Sequence, residues 1–150
     1  MALNIVLFEP EIPNNTGNIG RLSLAVGARL HLVKPFGFEL SDKRVKRAGL
    51  DYWQHLDLST YENIDEFFQV NKDKKMAFLT SHGTKSYCDI PFEEDFFVVF
   101  GKESSGLNKE VVNAYPDQLY KIPMASEHIR SINLANAVGI VMYEGVRQMS

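Results

Sequence analysis

Three short stretches gather the residue types that could do chemistry, each just after an apolar run. The first is Pro13-Asn14-Asn15-Thr16-Gly17-Asn18-Ile19-Gly20-Arg21. It falls between an expected strand and an expected helix, where open α/β sheets bind ligands at their carboxyl edge. Thr16 or Asn15 can cap the helix, and Gly17 lets the backbone approach a partner closely. Arg21 lies about one turn into that helix, and its planar fork suits a phosphate. The plain alternative is a capped helix carrying a surface arginine. A dinucleotide fingerprint fits poorly, because Gly17 and Gly20 are present without the opening G-x-G.

The second stretch is Val98-Val99-Phe100-Gly101-Lys102-Glu103-Ser104-Ser105-Gly106-Leu107. Gly101 and Gly106 are spaced as in a phosphate-cradling loop, but Leu107-Asn108 replace the Lys-Ser/Thr that would complete it. A nucleophile elbow fails as well, because Lys102 stands where its first glycine belongs. What remains is a glycine-bounded turn with one carboxylate. It is either a plain connection or a surface presenting N–H and C=O groups to a flat heterocycle. The third stretch runs from Ile122-Pro123-Met124 through Glu127, His128 and Arg130 to Ser131-Ile132-Asn133-Leu134-Ala135-Asn136-Ala137. Ser131 or Asn133 is a natural N-cap there, and Ile122 and Met124 can wall a ring or simply join the core. His128 reads first as a surface histidine.

Other chemistries find little support. His31, His55, His82 and His128 are scattered and Cys88 stands apart, so no paired metal-ligand spacing exists and no metal is expected. A lone cysteine excludes an internal disulfide framework and suits a reducing compartment. The apolar start of the chain stops at Glu9, too early for a signal peptide or membrane span, so cytoplasmic residence is the expectation. A net charge of −3 argues against a general polyanion binder but leaves room for a local basic patch.

The elements that must position these stretches follow from alternating apolar runs and helical patterns. With 150 residues, 45% hydrophobic and 23% charged, the chain suits one globular domain over residues 1–150. Strands are expected at Leu3–Phe8, Leu30–Val33, Met76–Thr80, Phe96–Gly101 and Gln118–Ile122. Helices are expected at Gly17–Val26, closed by Gly27, and at Lys43–Ala48, Tyr61–Val70, Asn108–Ala114 and the C-terminus. There Leu134, Ala137, Val138, Val141, Met142 and Gly145 recur at helical spacing. The alternation points to an α/β class with a mostly parallel sheet flanked by helices.

Taken in order, the three stretches resemble the motifs of the SpoU branch of the knotted methyltransferases: Asn14…Gly17…Arg21 with Asn18, then Phe100-Gly101-Lys102-Glu103-Ser104-Ser105-Gly106-Leu107, then Ile122-Pro123-Met124…Ser131-Ile132-Asn133-Leu134-Ala135-Asn136-Ala137. Within it, Asn4–Pro13 and Asp42–Tyr52 are similar to the subgroup that methylates the ribose of the tRNA wobble nucleotide. The resemblance implies a C-terminal trefoil knot, a homodimer, a tRNA substrate, no membrane association and no separate RNA-binding domain. It implies S-adenosylmethionine as methyl donor and S-adenosylhomocysteine as product. Loops near Leu79–Gly83, Gly101–Leu107 and Ile122–Ser131 would hold the donor. Leu79, Thr80, Gly83, Gly101, Glu103, Gly106, Leu107, Ile122, Met124, Ser131 and Asn133 would line that site, with Glu103 able to balance the cationic sulfonium.

Arg21 is then the expected essential group, holding a phosphate and aiming a ribose hydroxyl, with Asn14 and Tyr143 as further catalytic candidates. Lys43, Arg44, Lys46 and Arg47 form either an RNA patch or a solvated helix face, and Arg130 is a further RNA candidate. Two other functions remain open at this point: 2′-O-methylation of rRNA or of another tRNA position, and a non-catalytic module binding S-adenosylmethionine or RNA.

Overall fold

The computed structural model describes residues 2–150, except for the side chains of Lys46, Ala48, Gly49, Leu50 and Asp51. Four apolar residues behind a polar first position, Asn4–Phe8, form strand β1, buried along its whole length. Helix α1 spans Pro13–Val26, β2 Arg29–Val33, α2 Lys43–Gly49, β3 Leu58–Tyr61, α3 Ile64–Val70 and β4 Met76–Leu79. The short β5 Lys85–Ser86, β6 Phe97–Phe100, α4 Lys109–Ala114, β7 Leu119–Lys121 and α5 Leu134–Met149 complete the order. A 3-10 turn, Leu50–His55, follows α2.

The seven strands form one sheet in the order β3-β2-β1-β6-β4-β7-β5, with every pairing parallel. Parallel sheets must be covered on both faces, and the period of two along each strand divides the core accordingly. Ile5, Leu7, Val98 and Phe100 pack with Ile19 of α1 and with Val138, Val141 and Met142 of α5. Val6, Phe8, Phe97 and Val99 pack on the other face with Phe67 of α3 and Val111 of α4. Each such side chain, taken from water, contributes about 1.5–3 kcal/mol, which is why the runs apolar on both faces became the central strands. Gly145 seats α5, since a Cβ there would stand 2.7 Å from the Phe92 ring.

Three expectations need correction. Helix α1 begins at Pro13, four residues before Gly17, because proline at the first turn lacks only an N–H the helix does not use. Its N-cap is Ile12, which supplies no side-chain cap, so neither Asn15 nor Thr16 plays that role. Tyr61 ends a strand paired with Val33 instead of opening a helix. Asn63 caps α3, its side chain accepting from Glu66 N–H at 2.7 Å. β3 and β5 were not expected at all, being short and only partly buried. Gly27 does close α1 in a Schellman turn: at φ 68°, its N–H donates to Leu24 and that of Ala28 to Ser23. Asn133 caps α5 through Asn136 N–H.

Candidate active site

Register brings the chemistry-bearing stretches to one place. Leu7 pairs with Phe100, Phe100 with Leu79, and Leu79 with Tyr120, so β1, β6, β4 and β7 end in one row. The loops that follow them therefore open side by side at the carboxyl edge. The loop after β4, holding Thr80 and Gly83, joins the three stretches there.

A hydrogen-bonded clasp ties three of these loops together. Glu103, after β6, accepts from the N–H groups of Glu11 and Ile12 at 2.8 and 2.9 Å, and from the Asn15 side chain at 3.2 Å. Glu11 returns the contact by accepting from Ser104 N–H at 2.8 Å, and that bond holds its carboxyl below the usual range. The Asn133 side chain donates to Asn15 Oδ1 at 3.2 Å. Asn15, only 6% exposed, thus bonds to both the second and the third stretch. The Glu103 carboxylate, expected to face a sulfonium, is instead turned onto the start of α1, where the helix dipole also favours it.

Asn15 is the residue that sequence reasoning passed over except as a cap. Helical phase could have found it: Asn15, Ile19 and Leu22 fall on the inner stripe, whereas Asn14, Asn18 and Arg21 fall on the exposed face at i, i+4 and i+7. Asn14 is accordingly a surface residue. Arg21 is exposed too, its guanidinium carbon 5.1 Å from the centroid of the Tyr52 ring. Tyr143, 52% exposed, lies about 15 Å along α5 from Asn133 by helical rise, so this chain does not bring it to the clasp.

Glycines set how closely the loops cross. A Cβ on Gly83 would stand 2.6 Å from Tyr120 O, and one on Gly101 would run into the main chain of Gly106 and Leu107. Gly106 itself has φ 70°, a conformation glycine adopts without strain. Around these crossings Leu79 and Leu107 are buried, Thr80, Ile122 and Met124 half-buried, and Ser131 exposed. Thr80 N–H donates to Tyr120 O, and its hydroxyl accepts from His82 N–H. Closely crossed main chain flanked by apolar side chains is a cradle that fits a thin, partly apolar ligand with a polar ring, such as an adenosyl group.

Of the basic cluster, Lys43, Arg44 and Arg47 are exposed on α2 while Val45 is fully buried beneath them; the Lys46 side chain lies outside the described residues. Arg44 is paired with Asp42 at 3.1 Å, which weakens its claim on a phosphate relative to Lys43 and Arg47. Arg130 is exposed in the loop after β7, on the edge that carries the clasp. Among the described residues, no three His, Cys, Asp or Glu side chains gather as a metal site. A separate cleft of about 570 Å³ opens at the opposite, amino edge of the sheet, between Arg29, His31, Lys74 and Asp95.

Comparison with known proteins agrees with this architecture. The tRNA (cytidine(34)-2'-O)-methyltransferase of Saccharophagus degradans is 44% identical, over 97% of this chain and 95% of its own length. The enzyme of the same name from Escherichia coli K12 is 41% identical, over 98% and 94%. A solved structure described as giving insights into the 2-OH methylation of C/U34 on tRNA superposes with a TM-score of 0.94. It is 41% identical, covering 99% of this chain and 96% of that one. The model of the SpoU rRNA Methylase family matches residues 2–143, and the chain belongs to that family.

Proposed function

We propose that this protein transfers the methyl group of S-adenosylmethionine to the ribose 2′-hydroxyl of the wobble nucleotide of tRNA. The observation that carries the reading is the clasp of Glu103, Asn15 and Asn133, which joins the three motif loops beside the glycine crossings. Whole-length similarity to relatives named for this reaction supports the choice of substrate.

When bound, the donor supplies an electrophilic sulfonium methyl. The residues that would hold it are those at the crossings: Leu79, Thr80, Gly83, Gly101, Gly106, Leu107, Ile122, Met124 and Ser131. Their main-chain groups fix an adenosyl moiety without side-chain charge. Glu103 and Asn133 act behind them, keeping the loops in register. Arg21 holds the phosphate next to the reacting sugar, which orients the hydroxyl and removes much of the entropic cost of the encounter. A guanidinium is a permanent cation, so clamping and not proton removal is its part. The hydroxyl proton passes to solvent or to a group on the RNA side. Lys43 and Arg47, with Lys46 and Arg130, supply phosphate contacts.

The reading includes the family's trefoil knot, a cytoplasmic setting, a single catalytic domain and a homodimer. Ile140 and Tyr143, exposed on α5, support a second copy seated there, which would bring Tyr143 to a neighbouring site. The test is calorimetry with S-adenosylhomocysteine, then nucleoside mass spectrometry of tRNA incubated with enzyme and donor. A 2′-O-methylated nucleotide at position 34 is expected. No affinity for donor or product would overturn the reading, and methylation elsewhere would move the substrate while keeping the chemistry.

A further inference from the structure

Arg21 lies on an exposed helix face, where a long side chain samples many rotamers and makes a poor clamp. Two neighbouring features remove that freedom. Trp53 rests against Gly20, where a Cβ would stand 2.9 Å from its ring, so a glycine lets the turn after α2 settle onto α1. That seat delivers the preceding residue, Tyr52, to the following helix position. There the Arg21 guanidinium carbon lies 5.1 Å from the Tyr52 ring centroid, within cation–π range. The pairs Gly20-Arg21 and Tyr52-Trp53 are thus matched side by side. With its carbon held over the ring, the guanidinium keeps N–H groups directed away from the ring open to a phosphate.

Resting on the activity proposed above, we propose that Tyr52 is a positioning residue for the methyl transfer: its ring holds the Arg21 guanidinium in the orientation that receives the RNA backbone. The ring does this, and its hydroxyl does not. Tyr52 stays 41% exposed, and Trp53 is the residue that anchors the turn. The three cations of α2 whose side chains are described lie just before it in the chain, so an RNA strand drawn to that helix passes the pair.

Steady-state methylation of tRNA, with S-adenosylhomocysteine affinity and thermal midpoint measured alongside, tests the assignment. Tyr52→Leu should lower kcat about 3- to 30-fold, the range such contacts span, with KM for tRNA and product affinity little changed. Tyr52→Phe and Tyr52→Trp should restore the rate to within about 2-fold, since both keep a ring. In single turnovers, Tyr52→Leu should add nothing once Arg21→Ala is present. Gly20→Ala, which lifts Trp53 without touching Tyr52, is the second variant and should lower kcat in the same way even if Tyr52→Leu folds poorly. A wild-type kcat in both variants, no rescue by phenylalanine, or a loss confined to KM would overturn the inference alone. An unaltered enzyme that methylates no tRNA would overturn both this inference and the activity it rests on.

Discussion

Lowering the pH should remove stability through one buried histidine at the amino edge of the sheet. His31 is 5% exposed, and both ring nitrogens are bonded: Nε2 to Asn4 Oδ1 at 2.9 Å and Nδ1 to the Tyr61 hydroxyl at 2.8 Å. The Asn4 amide nitrogen donates to Asp95, so its oxygen faces the ring and Nε2 carries the proton. Nδ1 then accepts from Tyr61, whose oxygen in turn accepts from Asn71 at 3.3 Å. The neutral ring completes a chain of hydrogen bonds running one way. Burial, and secondarily the Arg29 charge, push its pKa from 6.5 to about 4.

The sign follows from linkage. The unfolded chain binds a proton at this ring as pH falls through 6.5, whereas the folded chain does not until about 4. The contribution is complete above 6.5 and is lost on the way down to 4, at about 1.4 kcal/mol per pH unit. Over that interval the loss is about 3 kcal/mol, a large part of the roughly 5–15 kcal/mol typical of a domain. Urea unfolding followed by circular dichroism between pH 4 and 7.5 measures it, with His31→Gln as reference. Ionisable groups remote from this hydrogen-bonded chain are common to both proteins, so the difference in slope reports His31 and the carboxylates coupled to it. Parallel curves for the two proteins, or a His31 ring signal titrating near 6.5 by NMR, would refute the reasoning.

Other outcomes follow from the site. Gly101→Ala drives a methyl into the Gly106–Leu107 main chain, so S-adenosylhomocysteine affinity should fall at least about tenfold by calorimetry, with stability lower by roughly 1–3 kcal/mol. Thr16→Val should leave stability unchanged or raise it by about 1 kcal/mol in thermal unfolding, because Oγ1 is buried with no partner among the described residues; a clear loss would reveal one. Lys43→Glu with Arg47→Glu should weaken tRNA binding and reduce the slope of log affinity against log salt by about 2, with product affinity intact.

How much of this was legible beforehand depends on the length of the signal. The central strands were readable because their apolar runs are buried on both faces, and α5 because its apolar stripe repeats at helical spacing over several turns. Tyr61 misled because a strand end and a helix start carry the same residue types, and only pairing with Val33 separates them. The candidate site was legible as a set of loops, since all strands of a parallel sheet end at one edge, but that these loops are neighbours there depends on the order β1-β6-β4-β7, which the sequence does not display. The roles of single residues were less legible. Glu103 looked free to meet a cation because its true partners, the N–H groups of Glu11 and Ile12, lie some ninety residues away in the chain. Asn14, the expected catalytic asparagine, lies on the exposed face of α1, whereas the helical phase of Ile19 already pointed to Asn15 as the one facing the other loops.

That asparagine explains how a cradle built from main chain can stay in shape. Loops crossing at Gly83 and Gly101 have few side chains of their own to lock them, and carboxylates facing the ligand would be an expensive way to do it. Asn15 stands on a regular helix, and its two ends meet Glu103 and Asn133 from different loops. Any shift of α1 along its axis therefore moves both loops together. Arg21 lies on the same helix, about 9 Å further along by helical rise. The guanidinium proposed to grip the phosphate and the loops proposed to cradle the donor thus move as one body. An in-line displacement needs this rigidity, because the angle between hydroxyl and methyl must survive thermal motion of both partners.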